Sequence, residues 1–192
     1  MRIDVLNDDI KLNFAKALFA NELNSKFSDI YRFSDAKTGK SGYSFGITQL
    51  DINNSSNALL ALKEMNFTTD EVTGLRAKKI PLDPMNAKLM ANKDVVDKWD
   101  RFQMSECLSW PLLLCNEIGV DLSSTETFLH IADYHNQFNF SRGGKMYLWL
   151  KTMKQPVTPE MIRDFKYTTL YGKQYPDDVL RRYQNIVNIV RG

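Results

Sequence analysis

The sequence predicts a mainly α-helical (α+β) fold in a single domain spanning residues 1–192. Three observations carry that prediction. Apolar residues recur at helical spacing in separate segments along most of the chain. Helix-start signatures stand in front of several of these segments, Thr158-Pro159-Glu160 being the clearest. One stretch, 34–57, is instead rich in glycine and small polar residues and reads as a loop with a short hairpin. A chain of this length supports one substantial core, because such domains bury roughly 70% of their unfolded surface.

The first helix follows from Leu12, Ala15, Phe19 and Leu23, at i, i+3, i+7 and i+11, with Glu22 on the same sector. Asp8 or Asp9 complements its amino end. After the segment SDAKTGKSGYSFGITQLDINNSSN, with Gly39, Gly42 and Gly46, helical texture resumes over 56–65. Thr68 or Thr69 is placed to cap a further short helix, and Pro81 and Pro84 punctuate the connection after it. Residues 92–116 are apolar on one side through Val95, Val96, Trp99, Phe102, Cys107 and Leu108. Pro111 is expected to kink or restart that helix, and Gly119 to end it. Ser123 or Ser124 caps the next helix, which carries Phe128, Leu129, Ile131, Ala132 and His135. Gly143-Gly144 breaks the chain before a short amphipathic piece over 146–153. The last helix begins near Pro176, with Val179, Tyr183, Ile186, Val187 and Val190 at helical spacing.

Composition narrows the function classes. The net charge of +2, from 25 basic and 23 acidic residues, does not point to nucleic acid. No apolar run approaches the ~18 residues of a membrane span. The amino end, MRIDVLNDDIK, with Asp4, Asp8 and Asp9, lacks the apolar core of a secretory signal. Cys107 and Cys115, on one helical segment, would lie about 12 Å apart, beyond the ~7 Å a disulfide tolerates. They read as two buried free thiols. His130, Asp133 and His135 do not share one helix face and read as ordinary helix polar residues, and no metal-ligand spacing occurs. Gly39-Lys40-Ser41 fails as a phosphate loop, because Ser34 stands where the first glycine is required.

The informative constellation is Glu22, Asp35 and Asp51. Glu22 closes the apolar stripe of the first helix, and a carboxyl held against apolar surface has its charged form disfavoured and can donate a proton. Asp35 and Asp51 flank the glycine-rich segment, where the backbone can turn back toward the helix end. A protonated acid facing an ionised carboxylate across a cleft is what inverting glycoside hydrolysis requires. The plainer reading, three solvated surface acids, fits the same residues.

Glu22, followed by Gly42-Tyr43-Ser44-Phe45-Gly46-Ile47-Thr48-Gln49-Leu50-Asp51, resembles the catalytic region of goose-type lysozymes and soluble lytic transglycosylases. Thr48 stands where that superfamily usually has Met. Ala132-Asp133-Tyr134-His135-Asn136-Gln137, then Gly143-Gly144-Lys145-Met146 and Trp149-Leu150, resembles its second motif, with His135 separating Tyr134 from Asn136. The resemblance covers roughly 21–51 and 132–150.

What the resemblance implies is a lysozyme-like catalytic domain that cleaves peptidoglycan between N-acetylmuramic acid and N-acetylglucosamine. Glu22 matches the general acid. Asp51 matches the goose-type Asp, and Asp35 the other water-positioning Asp. Gln49 matches the residue shaping the cleft floor and Tyr134 the Tyr facing the sugar, with Tyr43 and Asn136 as further substrate-binding candidates. Among the aromatic residues, Phe45 and Trp149 read as core, while Tyr43 and Tyr134 fit core and cleft alike. No metal or organic cofactor is implied. The expected partner is the glycan strand of the bacterial wall, with no nucleic acid, no membrane insertion and a monomeric chain. A lysozyme-like enzyme without a leader suggests synthesis in the cytoplasm and action on the wall after holin release, as for a phage endolysin, or after injection. The alternatives are a lytic transglycosylase, which needs Glu22 and no hydrolytic water, and a non-enzymatic glycan-binding phage tail module.

Overall fold

The computed structural model describes residues 6–35 and 41–192. Asp4, Gly39 and Lys40, which entered the leader and phosphate-loop readings, lie outside the described residues. The chain is mainly helical with one small antiparallel sheet. It divides into two compact units, one of Met1–Asn21 with Met104–Gly192 and one of Glu22–Gln103. Both dividing points fall inside helices, α1 (Asp8–Leu23) and α5 (Lys93–Ile118).

In the unit Glu22–Gln103, the glycine-rich stretch forms the sheet. Strands β1 (Ser34–Asp35), β2 (Tyr43–Phe45) and β3 (Leu50–Asp51) lie in that order. Ser44 pairs with Ser34 on one side and Asp51 on the other. Phe45 and Leu50 face a core of Phe33, Ile52, Leu62, Leu75 and Leu89. Phe33 meets Phe45 edge-on at 5.6 Å and Phe67 at 6.1 Å. Helix α2 (Ser56–Glu64) starts where the Ser55 side chain accepts the Ala58 N–H. Helix α3 (Thr69–Arg76) starts at Thr68 in a reciprocal capping box with Glu71. The connection expected around Pro81 and Pro84 is in fact helix α4 (Leu82–Ala91). Pro81 stands just before it and Pro84 falls in its first turn, where backbone N–H groups have no intrahelical partner and none is missed.

In the other unit, α1 buries Ile10, Phe14, Ala17, Leu18 and Asn21, while Leu12 is 54% exposed. The expected stripe through Leu12, Ala15 and Phe19 is therefore displaced by its neighbour. Both satisfy the helical period, and apolar residues lie around most of this helix, so spacing alone cannot choose the face. Helix α5 continues through Pro111 without restarting, and Gly119 follows it at φ 72°. Helix α6 (Thr125–Phe138), capped by Ser124, is buried at every position from Glu126 to Tyr134. Helices α8 (Pro159–Thr168) and α10 (Pro176–Arg191) pack against it. The short helices α7 (Lys145–Lys151) and α9 (Leu170–Gln174) complete the unit. Thr158 caps α8 with Pro159 in the first turn, as the sequence signature predicts.

Helix α6 carries a buried charge network into this packing. The Asp133 carboxylate, 1% exposed, accepts hydrogen bonds from Arg182 on α10, Lys166 on α8 and Asn21 on α1. Burial pushes this carboxyl up, but the two cations outweigh it and hold it well below the usual range. Cys107 and Cys115 are buried free thiols, as their spacing predicts. Among the described residues, no helix is long and apolar enough to cross a membrane.

Candidate functional site

The site grows out of the end of α1. After Leu23, Asn24 and Ser25 both take the left-handed conformation, at φ 48° and 59°. Non-glycine residues seldom adopt it, Asn being among the more tolerant. The Lys26 N–H returns to the Leu23 carbonyl at 3.0 Å, and a single 3₁₀ turn, Phe27–Asp29, follows. The chain then crosses the unit on fixed points. The Tyr31 hydroxyl donates to Asp97 at 2.8 Å, and the Phe33 N–H donates to the Asn86 side chain at 2.8 Å. Burial, reinforced by Asp97, pushes the Tyr31 phenol up to about 12. These segments wall a cleft of about 570 Å³, with Glu22, Asp29, Arg32, Ser34, Asp35 and Gln49 among its lining residues.

Gln49 reaches the cleft from the turn between β2 and β3. That turn is held by a carboxylate from α5. Asp100, 1% exposed, accepts the Ile47 N–H at 2.8 Å, the Thr48 N–H at 3.0 Å and the Thr48 hydroxyl at 2.7 Å. Burial pushes its pKa up, against these three donors. Gly46 sits at φ 79°, and a Cβ there would meet the Asp100 Oδ1 at 2.6 Å. Glycine is required twice over, by conformation and by the close approach. Thr48 supplies this buried Asp100 carboxylate with a hydroxyl donor that an apolar side chain could not offer. Gln49 itself is left-handed at φ 52°. Its side-chain amide donates to the Gly46 carbonyl at 2.9 Å and accepts from the Ser34 hydroxyl at 2.5 Å.

Three of the residues expected from sequence therefore meet in one cleft: Glu22, Asp35 and Gln49. Asp35 is ion-paired with Lys78 at 2.6 Å, and the Lys78 ammonium lies 5.5 Å from the Tyr43 ring. Tyr43 pairs with Asp35 across the sheet and packs against Phe33 rather than lining the cleft. Asp51 does not line it either. Its Oδ1 accepts the N–H groups of Gly42 at 3.1 Å and Asn53 at 2.8 Å, and its Oδ2 accepts from the Asn54 amide at 2.9 Å. Burial pushes the Asp51 carboxyl up, but these donors and the Ser41 hydroxyl outweigh it and bring it below its usual value.

Tyr134 and Asn136 belong to the other unit, on α6. Tyr134 is buried between Phe138 and Phe165, and burial pushes its phenol up. The Asn136 side-chain oxygen accepts the Cys107 thiol at 3.6 Å. Phe45 is fully buried, and Trp149 stacks on Phe165 at 4.7 Å. His130 stacks on Tyr183 at 5.1 Å, and burial pulls its pKa down to about 4. Among the described residues, no group of three or more His, Cys, Asp or Glu side chains is placed to hold a metal ion.

Sequence reasoning missed Asp29, Arg32 and Asp100. Asp100 had a readable signal: it stands four residues after Val96, on the same buried helix face. Arg32, set between Tyr31 and Phe33, had a weaker one. Asp29 had none. The chain matches no family model, no curated protein and no solved structure.

Proposed function

We propose that this protein cleaves the glycan strands of bacterial peptidoglycan, with a lysozyme-like catalytic fold and Glu22 as the general acid. The observation that supports this reading best is the shared cleft of Glu22, Asp35 and Gln49, residues spread over the first part of the chain. Glycoside chemistry uses a pair of carboxyl groups flanking the scissile bond. Glu22 protonates the glycosidic oxygen. Asp35 positions water on the opposite sugar face and takes its proton. Asp51 acts one step away, tying the hairpin that carries Gln49. No cofactor enters this reaction.

A second reading, the lytic transglycosylase, is favoured by one observation. Asp51 lies outside the cleft lining and Asp35 is engaged by Lys78, so both acids that the sequence offers for activating water are committed within the fold. In that reaction a hydroxyl of the muramic residue replaces water as nucleophile, and the products are one water lighter. Mass analysis of fragments released from purified walls separates the two. Glu22→Gln keeps the shape and removes the proton, so lysis should fall by ~10²–10⁴-fold while the fold survives. Wild-type lysis by a folded Glu22→Gln protein would refute the proposal.

A further inference from the structure

The cleft holds two cations whose presence the cleavage reaction does not explain. Arg32 and Lys26 both line it and both are exposed. Among the described residues, neither makes an ion pair, although three acids, Glu22, Asp29 and Asp35, line the same cleft. Asp35 is already taken by Lys78. Asp29, three residues before Arg32, is a ready partner by spacing, yet only the backbone of the two is joined, Arg32 N–H to the Asp29 carbonyl at 3.3 Å.

The backbone on which Arg32 stands is fixed on both sides. The Ile30 carbonyl accepts the Gly46 N–H at 2.9 Å, Tyr31 is tied to Asp97, and the Phe33 N–H is tied to Asn86. With the backbone already fixed, only the side chain has to be ordered when a ligand binds, and the planar guanidinium fork matches a carboxylate. Lys26 follows the left-handed turn at the end of α1 and lines the same cleft as Glu22.

We propose that Arg32 and Lys26 form a carboxylate-reading subsite, which selects glycan strands whose muramic carboxyl is free of peptide over strands in which that carboxyl is amide-linked. Arg32 binds the carboxylate through its fork, and Lys26 adds a point charge. This rests on the reading of the cleft as a glycan site and names what that site recognises.

The test uses the full chain carrying Glu22→Gln, so that ligand is bound and not consumed. Calorimetry compares a soluble muramic-acid-containing tetrasaccharide, with its free carboxylate, against the same tetrasaccharide with that group converted to a methylamide. A charge-assisted pair predicts a preference for the acid form of about 10-fold or more. Adding Arg32→Gln should bring the ratio close to one, Lys26→Gln should reduce it, and Arg32→Lys should restore only part of it. The preference should shrink with salt, because both cations are exposed. Equal binding of the two ligands by the parent, binding of neither, or a preference that survives Arg32→Gln with Lys26→Gln overturns the subsite. Cleavage by the wild-type chain is read in parallel. Cleavage of both strands at one rate removes the subsite and keeps the cleavage reading. Acid-selective binding without any cleavage keeps the subsite and removes the cleavage reading.

Discussion

Replacing Gly46 with alanine brings together two separable penalties. The first is conformational: at φ 79° an L-residue with a Cβ is disfavoured by roughly 1–2 kcal/mol. The second is contact. The new Cβ would lie 2.6 and 2.8 Å from the two oxygens of Asp100, a buried carboxylate bonded to the Ile47 and Thr48 N–H groups. It can retreat only by giving up one or both of those bonds, at about 1.5–3 kcal/mol each for hydrogen bonds to a charged group. The total is about 2.5–8 kcal/mol. Gly143→Ala is the control, since Gly143 has φ 74° but nothing within 4 Å of where a Cβ would stand, leaving the conformational penalty alone. Denaturant unfolding measures both variants, and hydrogen exchange at Ile47 and Thr48 reports the turn directly. In an Asp100→Ala background, Gly46→Ala should fall back to roughly the 1–2 kcal/mol of the control. If Gly46→Ala costs no more than Gly143→Ala, or costs the same with and without Asp100, the close approach has no energetic weight and the argument fails.

Two further predictions concern the other unit. Arg182→Met leaves the buried Asp133 with Lys166 as its remaining cation, so it should destabilise by about 3–5 kcal/mol in thermal or denaturant unfolding, and a change under about 1 kcal/mol would contradict the network's role. His130 is pulled down to about 4 by burial, so the folded chain resists a proton that the unfolded chain takes near pH 6.5. Its contribution is complete above about pH 6.5 and lost as pH falls toward about 4, on the order of 3 kcal/mol in all. His130→Phe should flatten stability against pH in that window, and an unchanged slope would count against the burial argument.

The helices were legible where a local signal named their ends. Thr68, Ser124 and Thr158 cap the helices their neighbours predict, because a side-chain oxygen and the N–H groups it serves lie within one turn of chain. The face of α1 was not legible, since Ile10-Phe14-Ala17 and Leu12-Ala15-Phe19 are both helically spaced and only packing distinguishes them. Helix α4 was hidden by prolines that read as breakers until their place in the first turn is known. The division into two units left no trace either, because it falls within α1 and α5 and not in a Pro- or Gly-rich linker. Of the residues that line the cleft, Glu22 and Gln49 stand out in the sequence through the motif they resemble, and Asp35 through its spacing from Glu22. Asp51 was read as chemistry because spacing cannot tell an acid open to a cleft from one whose oxygens are filled by its own loop.

The turn that carries Gln49 cannot be completed by its own residues. Its acceptor, Asp100, is 53 positions after Ile47, and the anchor for Tyr31, Asp97, is 66 positions after it. During synthesis at about 5–20 residues per second, the hairpin emerges several seconds before the carboxylate that closes it. Until then the Ile47 and Thr48 N–H groups have no carboxylate to bind. The cleft is thus finished from behind, by a helix that arrives late, and a chain halted before α5 would contain every residue of the Gly46–Gln49 turn without its geometry.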